Sequence, residues 1–116
     1  MHELTLCFNL IRILEQTANS ASPPITRIKT VWLEIGELAG IDLDAIRFSF
    51  PIAATHSLAK DATLKIKTQA GQALCHNCDK NVTLSSLLAP CSICGQYNYT
   101  ITQGKTLRII RIAVDS

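Results

Sequence analysis

Polar side chains at Thr5, Asn9, Arg12, Gln16 and Asn19 recur at spacings of four, three, four and three, which traces one stripe down a helix. Leu4, Leu6, Cys7, Phe8, Leu10, Ile11, Ile13 and Leu14 occupy the positions around that stripe. The pattern predicts a helix over residues 3–19 that buries a wide face. Residues 20–24 form a loop, because Pro23 and Pro24 cannot continue a helix. Residues 25–35 are rich in β-branched side chains and read as a strand ended by Gly36. Asp42 can cap a short second helix holding Leu43, Ile46, Phe48 and Phe50. Pro51 should end or kink that helix, since its ring meets the carbonyl of Arg47.

Periodicity then changes. Leu64, Ile66 and Thr68 alternate with Thr63, Lys65 and Lys67, the mark of a strand with one wet face. Residues 71–104 lose any period. Residues 105–114 return to a strand pattern through Leu107, Ile109, Ile110, Ile112 and Val114. The simplest architecture is an α/β fold of two helices and a three-stranded sheet, with the aperiodic segment inserted between the last two of those strands. Residues 1–70 with 104–116 make the α/β domain, and residues 71–103 make the insert.

Composition narrows the function. Hydrophobic residues are 47% of the 116, enough to bury a core. Charged residues are only 17%, and the formal net charge is +2, too weak a field for a nucleic-acid binder. No stretch is long enough to span a membrane. The apolar run from Leu4 to Leu14 has no basic residues before it, is broken by Asn9 and Arg12, and lacks a small-residue cleavage site, so it is not a signal peptide. These features predict a cytoplasmic protein, in which Asn81 and Asn98 match the glycosylation sequon by chance.

Four of the five cysteines fall in the insert, as Cys75-His76-Asn77-Cys78 and Cys91-Ser92-Ile93-Cys94 with 12 residues between the pairs. Two thiolates three positions apart on a tight turn grip one side of a small cation, and a second turn closes a tetrahedron. Soft thiolates in that arrangement favour zinc. Gly95 follows the second pair, where such turns often need positive φ. The insert has few apolar side chains of its own, so metal binding must supply folding energy. A thioredoxin-like redox site needs only one such pair at a helix start. Two disulfides conflict with a reducing compartment. An iron–sulfur cluster takes the same four ligands, but ligand type and spacing favour zinc. A full cysteine shell leaves no open coordination position, which makes the ion structural. His76 reads as a solvent-facing loop residue that can also exchange for a thiolate. Cys7 reads as a small core residue.

The chain opens Met1-His2-Glu3. A free α-amine, the deprotonated amide of His2 and the His2 imidazole form fused chelate rings around one metal. Glu3 can add its own amide or its carboxylate. Nitrogen-rich tetragonal sites of this kind suit Ni(II) and Cu(II). A chance Met-His start with an ordinary exposed histidine is the rival reading.

Together, Met1-His2-Glu3-Leu4, the run Val31-Trp32-Leu33-Glu34-Ile35-Gly36-Glu37-Leu38 with Gly40, Arg47-Phe48-Ser49-Phe50, Leu64-Lys65-Ile66, both cysteine pairs, and Gly104 followed by Leu107-Arg108-Ile109 resemble the HypA/HybF family of hydrogenase-maturation nickel chaperones, with the HybF branch nearest. The resemblance implies a non-enzymatic carrier that receives nickel as transient cargo at His2, with Met1 and Glu3 contributing backbone nitrogens. It implies structural zinc at Cys75, Cys78, Cys91 and Cys94, in a zinc-ribbon-like domain. It also implies docking to a nickel-handling GTPase and to the hydrogenase large-subunit precursor, as a monomer or weak homodimer. Two positions depart from the family pattern. Pro51 stands where an acid is usual, and His56-Ser57 stands where Gly-Thr is usual. His56 reads as a solvated loop residue or an auxiliary nickel ligand.

Two other classes compete. A zinc-ribbon module binding nucleic acid or a protein partner fits the cysteines alone. Lys80 is, however, the only cation between Gly71 and Gly104, and Tyr97 and Tyr99 are the only aromatics there; a phosphate-tracking surface needs more of both. A hydrolase or redox enzyme finds no Ser-His-Asp order, phosphate loop or open metal shell.

Overall fold

In the computed structural model, which describes residues 2–115, the first helix is α1 (His2–Ser20), and its polar stripe faces outward as its spacing predicts. Its buried face is narrower than the apolar count suggests: Glu3, Cys7, Leu10, Ile11, Leu14 and Ala18 are buried, whereas Leu4, Phe8 and Ile13 stay exposed. One neighbouring surface covers about a third of a helix, so a wider apolar band is left uncovered.

The chain continues through β1 (Ile28–Gly36), α2 (Leu43–Ala53) and β2 (Thr63–Gln69). Asp42 caps α2 as expected, its carboxylate accepting from the backbone N–H groups of Asp44 at 3.0 Å and Ala45 at 3.2 Å. Ile46 and Phe50 turn into the core, but Phe48 points to solvent. Pro51 does not end α2, which runs two residues further. A proline this close to the C-terminus forfeits one backbone hydrogen bond, and the end of the helix is secured otherwise. Ala54 N–H donates to the Phe50 carbonyl at 2.9 Å, and the Thr55 hydroxyl donates to the carbonyls of Pro51 and Ile52. Helix α1 packs against α2, with the Cys7 thiol donating to the Ile46 carbonyl.

The remaining strands are β3 (Gly71–Cys75), β4 (Lys80–Leu84), β5 (Tyr99–Gln103) and β6 (Leu107–Val114). They complete two three-stranded sheets, ordered β2-β1-β6 and β4-β3-β5. The first sheet and the two helices are those the periodicity predicts. The second sheet occupies the segment that reads as aperiodic. Its strands are five residues each, and its inward positions include cysteine and alanine, so the alternation is faint. In β3, Gly71, Ala73 and Cys75 are buried; in β4, Val82 and Leu84 are.

The chain forms two compact units. Of the described residues, one comprises 2–33, 41–65 and 109–115; the other comprises 34–40 and 66–108. The second has its own core of Leu38, Ala73, Cys75, Val82, Leu84 and Cys91. Leu38, from the segment after β1, fits against the bare backbone of Gly71, where a Cβ would lie 2.5 Å from the Leu38 Cγ. Gly71 therefore serves close packing here.

Candidate metal centre

Strand β3 ends on Cys75, and the first cysteine turn connects it to β4, which starts opposite at Lys80. The Asp79 N–H donates to the Cys75 carbonyl at 2.8 Å. Asp79 has φ 55°, a left-handed conformation that aspartate tolerates better than most residues. The second turn repeats the geometry: the Gly95 N–H donates to the Cys91 carbonyl at 2.8 Å, and Gly95 has φ 74°. Each turn thus coils back so that both of its sulfurs face one point. In each, a backbone amide is also aimed at the first sulfur, Cys78 N–H to Cys75 Sγ and Ile93 N–H to Cys91 Sγ.

The four sulfurs converge. Cys75 Sγ lies 3.6 Å from Cys94 Sγ, and Cys78 Sγ lies 3.9 Å from Cys91 Sγ. All four lie within 4.8 Å of one another. A disulfide would bring two sulfurs to about 2.05 Å, so these are free thiols. A tetrahedron with metal–sulfur bonds of about 2.3 Å has edges of about 3.8 Å, and the observed separations bracket that value. Cys75 and Cys91 are buried and the other two are partly exposed. Backbone N–H groups of Cys94 and Ile93 stabilise the Cys91 thiolate and hold its pKa down at about 6. The Cys78 thiol is pushed up to about 12, chiefly by its hydrogen bond with Cys94 and by burial. Placing a divalent cation among them reverses that penalty.

Around this centre, the His76 ring nitrogen Nε2 sits 2.7 Å from the Thr100 hydroxyl. The Tyr99 hydroxyl donates to the Ala89 carbonyl at 2.6 Å and fastens the loop before the second turn. Tyr99, Ala73 and Leu38 support the site without being part of the cysteine motif. Ala73 and Tyr99 fall in the segment that reads as aperiodic, and Leu38 comes from the segment after β1, so no spacing ties any of them to the cysteines.

At the other candidate site, His2 is exposed in the first turn of α1. Glu3 is buried, and its carboxylate accepts from the Asp42 backbone N–H. Met1 lies outside the described residues. Among the described residues, the four cysteines are the only group of three or more potential ligand side chains brought together. His56 lies in the exposed turn after α2, in no such group. Among the described residues, no helix is long and apolar enough to cross a membrane.

The profile of a family described as hydrogenase/urease nickel incorporation metallochaperone HypA matches residues 1–114. The chain belongs to the HypA family. HypA relatives match end to end. "Hydrogenase maturation factor HypA" of Rhodopseudomonas palustris strain TIE-1 is 42% identical over 115 residues, which is 99% of this chain and all of that protein. The same-named protein of Psychromonas ingrahamii is 37% identical over the full length of both. The solution structure of the Ni metallochaperone HypA from Helicobacter pylori superposes with a TM-score of 0.71 at 27% identity, covering 98% of this chain and 97% of that one. As a HypA family member the chain is a nickel metallochaperone for hydrogenase maturation and not an enzyme, and its four-cysteine cluster is consistent with a zinc site.

Proposed function

We propose that this chain carries Ni(II) at its N-terminus, with His2 supplying its imidazole and amide nitrogens, Met1 its α-amine and Glu3 its backbone nitrogen. The observation that carries the reading is the position of His2, exposed in the first turn of α1. The first four N–H groups of a helix have no carbonyl partner within it. An amide there can lose its proton to solvent and bind metal without breaking a helical hydrogen bond. Such a planar nitrogen set suits Ni(II).

In the same reading Cys75, Cys78, Cys91 and Cys94 hold one structural zinc ion, whose closed sulfur shell leaves nickel as the only cargo. Nickel then passes, in the cytoplasm, to a GTPase of the maturation system and on to the hydrogenase large-subunit precursor. The carrier acts as a monomer or weak homodimer, through protein contacts and not nucleic acid.

Nickel titration monitored by absorption tests the site. Protein with its native start should bind one equivalent, and protein carrying one extra residue before Met1 should not, because the α-amine has moved. Equal binding by both would refute an N-terminal chelate.

A further inference from the structure

Strand β6 ends the order β2-β1-β6, so among the described residues its outer edge has no strand beside it. Natural sheets blunt such edges with charge, proline or a bulge. Within Ile109–Val114, Arg111 is the one charged residue, and Ile110 and Val114 are 39% and 41% exposed. Beside the strand runs a groove of about 300 Å³, lined by Ile13, Leu14 and Thr17 of α1 together with residues 109–112 of β6, Arg111 among them. Ile13 is itself 46% exposed.

The opposite face is charged. Trp32 alternates with the buried Val31 and Leu33, so it stands on the face away from the core. The Arg111 guanidinium lies 4.5 Å from the Trp32 ring centre, and the Lys65 ammonium lies 5.8 Å from it. Lys65, Trp32 and Arg111 thus form a row across β2, β1 and β6. Neither cation pairs with a carboxylate among the described residues.

We propose that the free edge of β6 docks an extended segment of a protein partner in which acidic and apolar residues alternate. A strand added there takes main-chain hydrogen bonds from the edge. Its side chains then fall alternately on the two faces. On one face a carboxylate extends the row beside Arg111. On the other an apolar side chain fills the groove against Ile13 and Ile110. Charge selects this occupant over a second copy of the chain. Pairing β6 with β6 about a two-fold axis brings Arg111 close to its own counterpart, and like charges across a strand pair repel. One aromatic ring and two cations are too few to track a nucleic acid.

Trp32 is the only tryptophan, so its fluorescence reports on the row directly. The probe is a capped peptide of alternating glutamate and valine, matching the 8 residues of β6. Saturable change in Trp32 emission is expected. Binding should weaken about tenfold or more in Arg111→Glu, checked as folded by circular dichroism, with Arg111→Gln as the milder variant. It should vanish when alternate peptide nitrogens are methylated, which removes strand pairing and leaves charge unchanged. Equal binding of the methylated peptide, equal binding by Arg111→Glu, or no saturable response would overturn the proposal. So would a sedimenting dimer that Ile110→Lys dissociates, which would make the occupant a second copy, or tighter binding of a single-stranded oligonucleotide than of the peptide.

Discussion

The Glu3 carboxylate accepts a hydrogen bond from the Asp42 backbone N–H at 3.2 Å, tying the first turn of α1 to the N-cap of α2. The bond is part-buried and charge-assisted. Glu3→Ala should lower stability, because the Asp42 amide loses its protein acceptor. Glu3→Gln keeps a carbonyl oxygen there and should cost less. Urea denaturation midpoints of the two variants check the order.

Pro51 interrupts the hydrogen-bond ladder of α2 while the helix continues to Ala53. Pro51→Ala restores a donor to the Arg47 carbonyl and removes a ring clash. The gain is offset by a freer unfolded chain, worth about 0.4–1 kcal/mol. A net stabilisation of about 1–2 kcal/mol is expected from calorimetric or denaturant unfolding; a lower melting temperature would contradict it.

How much could be read in advance depended on whether a segment's stability came from its own pattern. Helix α1, α2 with its Asp42 cap, and strands β1, β2 and β6 show clear periodicity, and the cysteine pairs announce their chemistry by spacing. The second sheet did not show, because its strands are short and its core is completed by Leu38 from elsewhere in the chain. The exposure of Phe48 and Phe8 was equally hidden. Periodicity says which side chains share a helix face, and not how much of that face a neighbour covers. Asp79, the left-handed counterpart of Gly95, was masked by its residue type.

The two turn residues make a paired test. A Cβ at Gly95 would meet nothing within 4 Å, so Gly95→Ala acts through backbone strain alone. A loss of about 1–2 kcal/mol is expected, read as a roughly five- to thirtyfold weaker hold on zinc in a chelator competition. Asp79→Gly relieves the same conformation in the first turn and should be neutral or slightly tightening. Weaker binding by Asp79→Gly would show that its side chain matters.

Burial, reinforced by the nearby Glu3 charge, raises the Cys7 thiol from about 9 to about 11. A pKa raised in the folded state keeps the thiol neutral through the range where an unfolded cysteine ionises. The folded state is therefore favoured below pH 9, and that advantage drains away as pH rises through 11. With the other four cysteines metal-bound, iodoacetamide should leave Cys7 unmodified at pH 8.5 and label it on unfolding. Mass spectrometry of the native and urea-treated chain reads this directly.

On the proposed reading one metal is scaffold, held between Cys75 and Cys94, and another is cargo, held at the N-terminus. Metal analysis of untagged protein, purified with and without added nickel, alongside His2→Ala, tests it most directly. One zinc per chain is expected in every sample, and one nickel that appears on loading and is lost in His2→Ala. Nickel retained by His2→Ala, or zinc displaced by nickel from the four cysteines, would contradict it.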